Sequence, residues 1–397
     1  MSGRFVPRSR RETRASVLES LLRSRGGFRT DIARECNLSE ASVSRILNEL
    51  RKENTVEETR QQTSGAGAPT ALVTLSKDIA VLGIELSNSR LSFGVGDLKG
   101  TLDYVERVPA STQLPQREFE KLFADSATAV SAWATARGLA LRQGAMSIPG
   151  FGRAAGNSIY PWSMGRLQAL LGEALPDVPL TLTNSVIAQA AFHRYARAGG
   201  YSISGEHLFL FVGHGVAGVI VNDTAPVDAF QAFEIGHMVI ERDGLPCRCG
   251  HKGCVEAYTS LRAVSQIIGM SDADILTKGD HFMEALGVDP AARETLRERQ
   301  FLLGLALGNA LNLHPVPKVV VSGWPSLMPE DDRAAIGEGL NQSLLGGYAP
   351  ERLELSFIEP AIGNDPKAAL HYAAYCFVRS GGLDERSGLA AAQEEIS

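Results

Sequence analysis

The 397-residue chain contains no run of ~18 apolar residues, so no membrane-spanning helix is expected. Its basic start, MSGRFVPRSRRETR, is not followed by the apolar stretch of a secretory signal, and a cytoplasmic location is expected. Cysteine is scarce. Of five in all, Cys247, Cys249 and Cys254 crowd together while Cys36 and Cys376 stand alone, which argues against a disulfide framework and for metal ligation by the cluster. Positive charge is short everywhere except at the front. Residues 1–60 hold 13 Lys and Arg against 9 Asp and Glu, a net +4, whereas the remainder carries −10. Only the front end therefore suits a polyanionic partner.

What is present suggests two or three folded units, the first of them small. Thr13 to Arg23 places Val17, Leu18, Leu21 and Leu22 on one helical face, and Gly26-Gly27 stops the pattern. Thr30 is expected to cap a short second helix with Ile32 and Ala33 facing inward. Ser39 is expected to cap a third, along which Val43, Ile46, Leu47 and Leu50 form a buried stripe, and Asn54 ends it in the left-handed conformation. Thr55 to Leu75 then carries two apolar ends around QQTSGAGAP, as expected for two strands and a wing-like loop. From Ile79 an alternation of strands and helices begins: a hairpin in AVLGIELSNSRLSFGVGDLKG, a helix from Arg117 to Ala136, and strands at GAMSIPG, LTLTN, HLFLFVG, AGVIVN and KVVVSGW. Residues 381–397 read as a flexible tail.

The buried stripe of the third helix leaves Glu40, Ala41, Ser42, Ser44, Arg45 and Asn48 on or near its opposite face, and with Thr30 these are the candidate DNA contacts. Arg45 has the fork that matches guanine edges or a phosphate, and Ser42 and Ser44 suit phosphate or base. A generic three-helix bundle with a solvated face would show the same spacing. A second constellation lies in EIGHMVIERDGLPCRCGHKGCVEAY, residues 234–258. His237, Cys247, Cys249 and Cys254 form a set of three thiols and an imidazole suited to one tetrahedral Zn(2+), with no position left for an activated water. Buried thiols, a redox pair, or His251 in place of His237 are the competing readings.

Both segments resemble the ROK family of sugar kinases and sugar-responsive repressors. SEASVSRILNELRKENTVEE with its Gly-rich loop resembles the winged helix of that family, and residues 234–258 resemble its zinc signature; the likeness extends over roughly residues 15 to 380. It implies an α/β chain with a winged helix-turn-helix at residues 1–76 and a two-lobed, actin-like (ribonuclease H-like) sugar-kinase domain at 77–380, the lobes parting near 185–200. Where the family's wing often has Gly-Arg-Pro, this chain has Gly67-Ala68-Pro69, so the minor-groove arginine is missing.

By the same resemblance a kinase needs an Asn-Asp pair whose carboxylate accepts the sugar hydroxyl proton. Here the pair is Asn184-Ser185. The family's phosphate loop, Asp-x-Gly-Gly-Thr, appears as Glu85-Leu86-Ser87-Asn88-Ser89, and the second glycine loop, Gly213 to Gly218, carries His214 and reads as a hairpin remnant. No catalytic residue is expected. Asn184, Glu234, His237 and Glu256 match the family's sugar contacts, with His237 able to serve zinc and sugar through different nitrogens. Alternatively Glu234 and Glu256 merely brace the cysteine loop. Phe233 and Ile187 depart from the family's residues and narrow the pocket, while Phe151, Tyr160 and Trp162 are candidate stacking faces or simply core. The resemblance thus implies a repressor of carbohydrate-related genes, a double-stranded DNA operator, a monosaccharide or sugar-phosphate effector, and a homodimer or homotetramer. The rival readings are an ATP-dependent hexose or amino-sugar kinase and a constitutive DNA-binding protein whose sugar domain only dimerises.

Overall fold

The computed structural model describes residues 9–61, 70–87, 90–110, 114–150, 164–195, 205–222, 225–271, 274–275, 284, 287, 289–346, 353–360 and 366–383. These form two compact units, one of residues 1–201 with 365–397 and the other of residues 202–364.

The first unit opens with α1 (Arg10–Ser24), α2 (Arg29–Cys36) and α3 (Glu40–Lys52). Helix α1 starts three residues earlier than the apolar pattern suggests, because Ser9 accepts from the Glu12 N–H while Glu12 bonds back to the Ser9 N–H, a reciprocal cap that periodicity does not reveal. Thr30 does not cap α2. Phe28 holds that position without a side-chain bond, and exposed Thr30 lies within the first turn. Ser39 does cap α3, its Oγ accepting from the Ser42 N–H at 3.2 Å, and the expected stripe of Val43, Ile46, Leu47 and Leu50 is buried. Asn54 follows with φ +56°. Strands β1 (Val56–Gln61) and β2 (Thr70–Leu75) pair antiparallel, Val56 opposite Leu75. The wing positions Gly67, Ala68 and Pro69 lie outside the described residues.

A five-stranded sheet of order β5-β4-β3-β6-β7 follows, from β3 (Ala80–Leu86), β4 (Arg90–Asp97), β5 (Leu102–Pro109), β6 (Leu141–Ile148) and β7 (Leu180–Asn184). β3, β4 and β5 pair antiparallel, and β3, β6 and β7 parallel. Strand residues alternate between faces. Leu82, Ile84 and Leu86 therefore point into one core with Phe93, Phe119, Phe123, Leu167 and Leu171, roofed by α4 (Gln116–Thr135) and α5 (Met164–Ala174). The opposite face carries α6 (Ser185–Tyr195) and the last helix of the chain, which returns to this unit. Gly83 permits that helix to lie flat, since a Cβ there would strike the Leu370 backbone.

The second unit repeats the arrangement. Its sheet runs β10-β9-β8-β11-β12, from β8 (His207–Val212), β9 (Val216–Val221), β10 (Gln231–Phe233), β11 (Lys318–Gly323) and β12 (Glu354–Ile358), with the same antiparallel and parallel pairings. Gly213 to Gly215 is the turn of the β8–β9 hairpin. The core gathers Leu208, Leu210, Val319 and Val321 with α7 (Val255–Thr259), α8 (Leu261–Ile268), α9 (Pro290–Leu313) and α10 (Glu330–Ser343). Two sheets of one topology within an α/β chain are the actin-like fold. The final helix, α11 (Lys367–Arg379), leads into Gly381 and Gly382. Residues 381–383, assigned to the tail from sequence, instead run against α1, where the Gly381 carbonyl accepts from Arg14 Nε at 2.9 Å. Among the described residues no helix is long and apolar enough to cross a membrane.

Candidate functional site

Strand β10 delivers the chain into a single 3-10 turn, Ile235–His237, which sets His237 beside the loop 238–254. That loop folds back on itself through bridges between Val239 and Cys254 and between Pro246 and Lys252, and through Ile240 N–H to the Gly253 carbonyl at 2.9 Å. Gly253 takes φ +73° with the Glu241 carbonyl where a Cβ would stand, so no other residue fits. The result brings one ligand atom from each of His237, Cys247, Cys249 and Cys254 within 4.8 Å of all the others. His237 Nδ1 is 3.7 Å from Cys247 Sγ, and Cys249 Sγ is 3.7 Å from Cys254 Sγ. A tetrahedral zinc about 2.3 Å from each sulfur separates neighbouring ligands by about 3.8 Å, so the donors fit that ion in chemistry and spacing. His251 stands outside the four, with Nδ1 3.5 Å from Cys249 Sγ.

The thiols are electrostatically unequal. Burial pushes Cys254 up to about 12, assisted by the Cys249 thiol. Burial acts on Cys249 in the same sense, but bonds from the His251 backbone and ring and from the other two thiols prevail and hold it down at about 6. Because His237 turns Nδ1 toward Cys247, its Nε2 lies on the far side of the ring.

The four candidate sugar contacts divide between the units. Asn184 ends β7 in the first unit, is 6% exposed, and accepts from the Val186 N–H at 2.9 Å, capping α6. Ser185 is the half-buried first residue of that helix. Glu234, His237 and Glu256 belong to the second unit. Glu234 is exposed, whereas Glu256 Oε2 accepts from the Val216 N–H at 3.1 Å. Glu256 thus braces the β8–β9 turn, a role that a pairing 40 residues apart conceals from sequence. Phe151, Tyr160 and Trp162, and the loop residues Asn88 and Ser89, lie outside the described residues.

Glu85 is the carboxylate whose setting sequence reasoning missed. It shares a cross-strand row with Ser92, Ser147 and Thr183, on the face opposite the row of Leu86, Ile148 and Asn184. Its Oε2 is buried without a partner among the described residues, and burial pushes the carboxyl up to about 7. An acidic residue inside a strand otherwise made of Ala, Val, Leu, Gly and Ile was the available signal.

On the three-helix segment, Glu40, Arg45 and Asn48 are exposed along α3. Ser42 and Ser44 are half-buried and already engaged, Ser42 with Ser39 Oγ at 2.9 Å and Ser44 with Arg29 Nη1 at 3.3 Å. Arg29 also reaches Glu58 on β1 at 2.6 Å, tying the wing to both helices.

The ROK family model matches residues 81–365. The chain belongs to the ROK family. Among curated ROK relatives, the xylose repressor of Caldicellulosiruptor bescii is 22% identical over 364 residues, covering 86% of this chain and 90% of its own. Among solved structures, a ROK family transcriptional regulator described as a homologue of the E. coli Mlc protein superposes with a TM-score of 0.69 at 19% identity, covering 94% of this chain and 97% of its own. A ROK family glucokinase from Streptomyces griseus, in complex with glucose and AMPPNP, gives a TM-score of 0.52 at 21% identity, covering 78% and 100%. Both likenesses speak to the fold.

Proposed function

We propose that this ROK chain is a DNA-binding transcriptional repressor of carbohydrate-related genes whose operator affinity responds to a monosaccharide or sugar phosphate. What supports the reading is a capped α3 with an exposed polar face, ahead of a kinase-like fold in which, by the family resemblance, Ser185 at the start of α6 stands where a kinase carries its carboxylate. A serine hydroxyl does not take a proton from an alcohol near neutral pH. The name of the Caldicellulosiruptor relative makes xylose the first effector to test.

On this reading residues 1–76 bind DNA and the kinase-like domain from residue 77 senses ligand. Arg45, Asn48 and Glu40 face the groove; Thr30, Ser42 and Ser44 lie at its edge, close to phosphates. One Zn(2+) on His237, Cys247, Cys249 and Cys254 is structural, since protein donors fill all four positions. Asn184, Glu234 and His237 offer acceptors and donors to sugar hydroxyls, with Glu256 positioning the adjoining turn. A homodimer or homotetramer in the cytoplasm would set two α3 helices on the half-sites of an inverted repeat.

The test is selection of genomic fragments by the purified full chain at about 50 mM salt, where phosphate contacts are strong. It is repeated with xylose, glucose and their phosphates. Enrichment of a small set of fragments, released by one of these sugars, is the expected result. No enrichment, together with ATP consumption on adding a hexose, would instead assign the chain to the kinases.

A further inference from the structure

Helix α6 joins two places that matter on the reading above. Its amino end is fixed by Asn184, and its carboxyl end presents Arg194 and Tyr195 to Glu19 of α1. Tyr195 Oη donates to Glu19 Oε1 at 2.9 Å, and Arg194 Nη2 lies 3.4 Å from the same oxygen. Tyr195 is buried, with its ring stacked on Tyr375 of α11 at 5.6 Å. Burial, with Glu19 opposite, drives its ionisation far above the ordinary range, so the phenol remains a donor. Eleven residues of α-helix form a stiff rod about 16 Å long, so a shift imposed at Asn184 is delivered at Tyr195.

A second grip holds the same helix of the DNA-binding segment. Arg14, 2% exposed, gives Nε to the Gly381 carbonyl at the end of α11 and its two terminal nitrogens to Glu53, at 3.0 and 2.5 Å, just past the end of α3. Glu49 of α3 lies 3.5 Å from the same guanidinium. A buried charge with partners at the ends of two other helices is costly to release singly. Helix α11 in turn packs along α6 and β3. Helix α1 is thus clamped through Glu19 to the helix that begins at Asn184, and through Arg14 to both α11 and the recognition helix.

We propose that the Glu19–Tyr195–Arg194 contact and the Arg14–Gly381–Glu53 clamp form the coupling through which occupancy at the Asn184 end of α6 moves α3. The inference rests on the proposed function, and two readouts keep their failures apart. The first uses the enriched genomic fragment and xylose on wild type, Tyr195→Phe and Glu19→Gln. Coupling of about 5- to 150-fold between effector and operator is usual, and it must be reciprocal. In both variants the factor by which xylose weakens operator binding falls toward 1, and so does the factor by which operator weakens xylose binding. Xylose affinity without DNA stays unchanged, a split that a merely structural loss does not give. Full coupling retained in both variants overturns the proposal.

The second readout needs neither DNA nor sugar: amide hydrogen exchange of the free full-length chain. Both variants should exchange faster in α1 and in the Glu49–Glu53 end of α3 while β8–β11 are unaltered. Wild-type exchange rates in α1 and α3 overturn the coupling even if no operator is found. Absent operator with the expected exchange pattern sinks only the functional reading.

Discussion

Arg45 stands exposed on α3, on the side away from the stripe of Val43, Ile46, Leu47 and Leu50. Its neighbours Ser42 and Ser44 are held by Ser39 and Arg29, whereas Arg45 stands exposed beside Glu40 and Asn48. A bidentate arginine on guanine contributes about 1–3 kcal/mol of discrimination. Arg45→Ala is therefore expected to reduce preference for the operator over scrambled DNA by roughly 5- to 150-fold, with the circular dichroism spectrum unchanged because nothing is uncovered. Competition binding measures it, and an unaltered preference would remove α3 from the groove. The placement of Arg45 was legible because a buried stripe fixes its own opposite face. Arg14 was not, since its partners Glu53 and Gly381 lie 39 and 367 residues along the chain, and no local pattern records such a pairing.

At the scale of elements, the cysteine loop owes its shape to three things: Gly253 in the left-handed region, the two short bridges, and whatever holds three thiols and an imidazole together. That these four residues would come together was readable because all of them fall between 237 and 254 and their chemistry is specific. The bond from the Val216 N–H to Glu256 was not readable, because that partner is a backbone group in a hairpin 40 residues away. Independently of any metal, the loop is tied down at Tyr258, which accepts from the Leu245 N–H at 2.8 Å and donates to Glu241. Zinc in such a cluster contributes on the order of 10 kcal/mol to the fold it closes. Elemental analysis should find about one zinc per chain, and stripping it with a chelator should accelerate exchange across 238–259 while α1 to α3 are unaffected. Metal-free protein with equally protected amides there would refute the site. Cys254→Ser should reproduce the chelated state without chelator.

For the whole molecule, alternating strands and helices were enough to read an α/β chain, whereas the actin-like fold came from the resemblance to the ROK family, with which the two sheets of matching order agree. The return of α11 to the first unit was hidden, because an apolar helix near residue 370 does not say which sheet it covers. That return creates a buried polar layer with a consequence for global stability. His371 of α11 is pushed down to about 3 by burial, with Arg25, Lys367 and His193 adding to the effect, and His193 of α6 is pushed down to about 4 by burial. Both remain neutral in the fold but take protons when unfolded below about 6.5, so their contribution is present near neutrality and is lost as pH falls toward 4. Glu85 acts in the opposite sense. Protonated in the fold up to about 7 and ionised when unfolded above about 4.5, it contributes stability below 4.5 that is lost as pH rises to 7. Two imidazoles against one carboxyl leave a net gain with rising pH of about 1.4 kcal/mol per unit between 4.5 and 6.5, and little change above 7. Glu85→Gln deletes the opposing slope alone. Urea unfolding from pH 4.5 to 8 should show the variant and wild type nearly equal at pH 4.5, and the variant more stable at pH 7.5 by about 3 kcal/mol, the 4.5-to-7 shift taken at about 1.4 kcal/mol per unit. Two parallel curves would mean that the carboxyl at β3 ionises as freely in the fold as out of it.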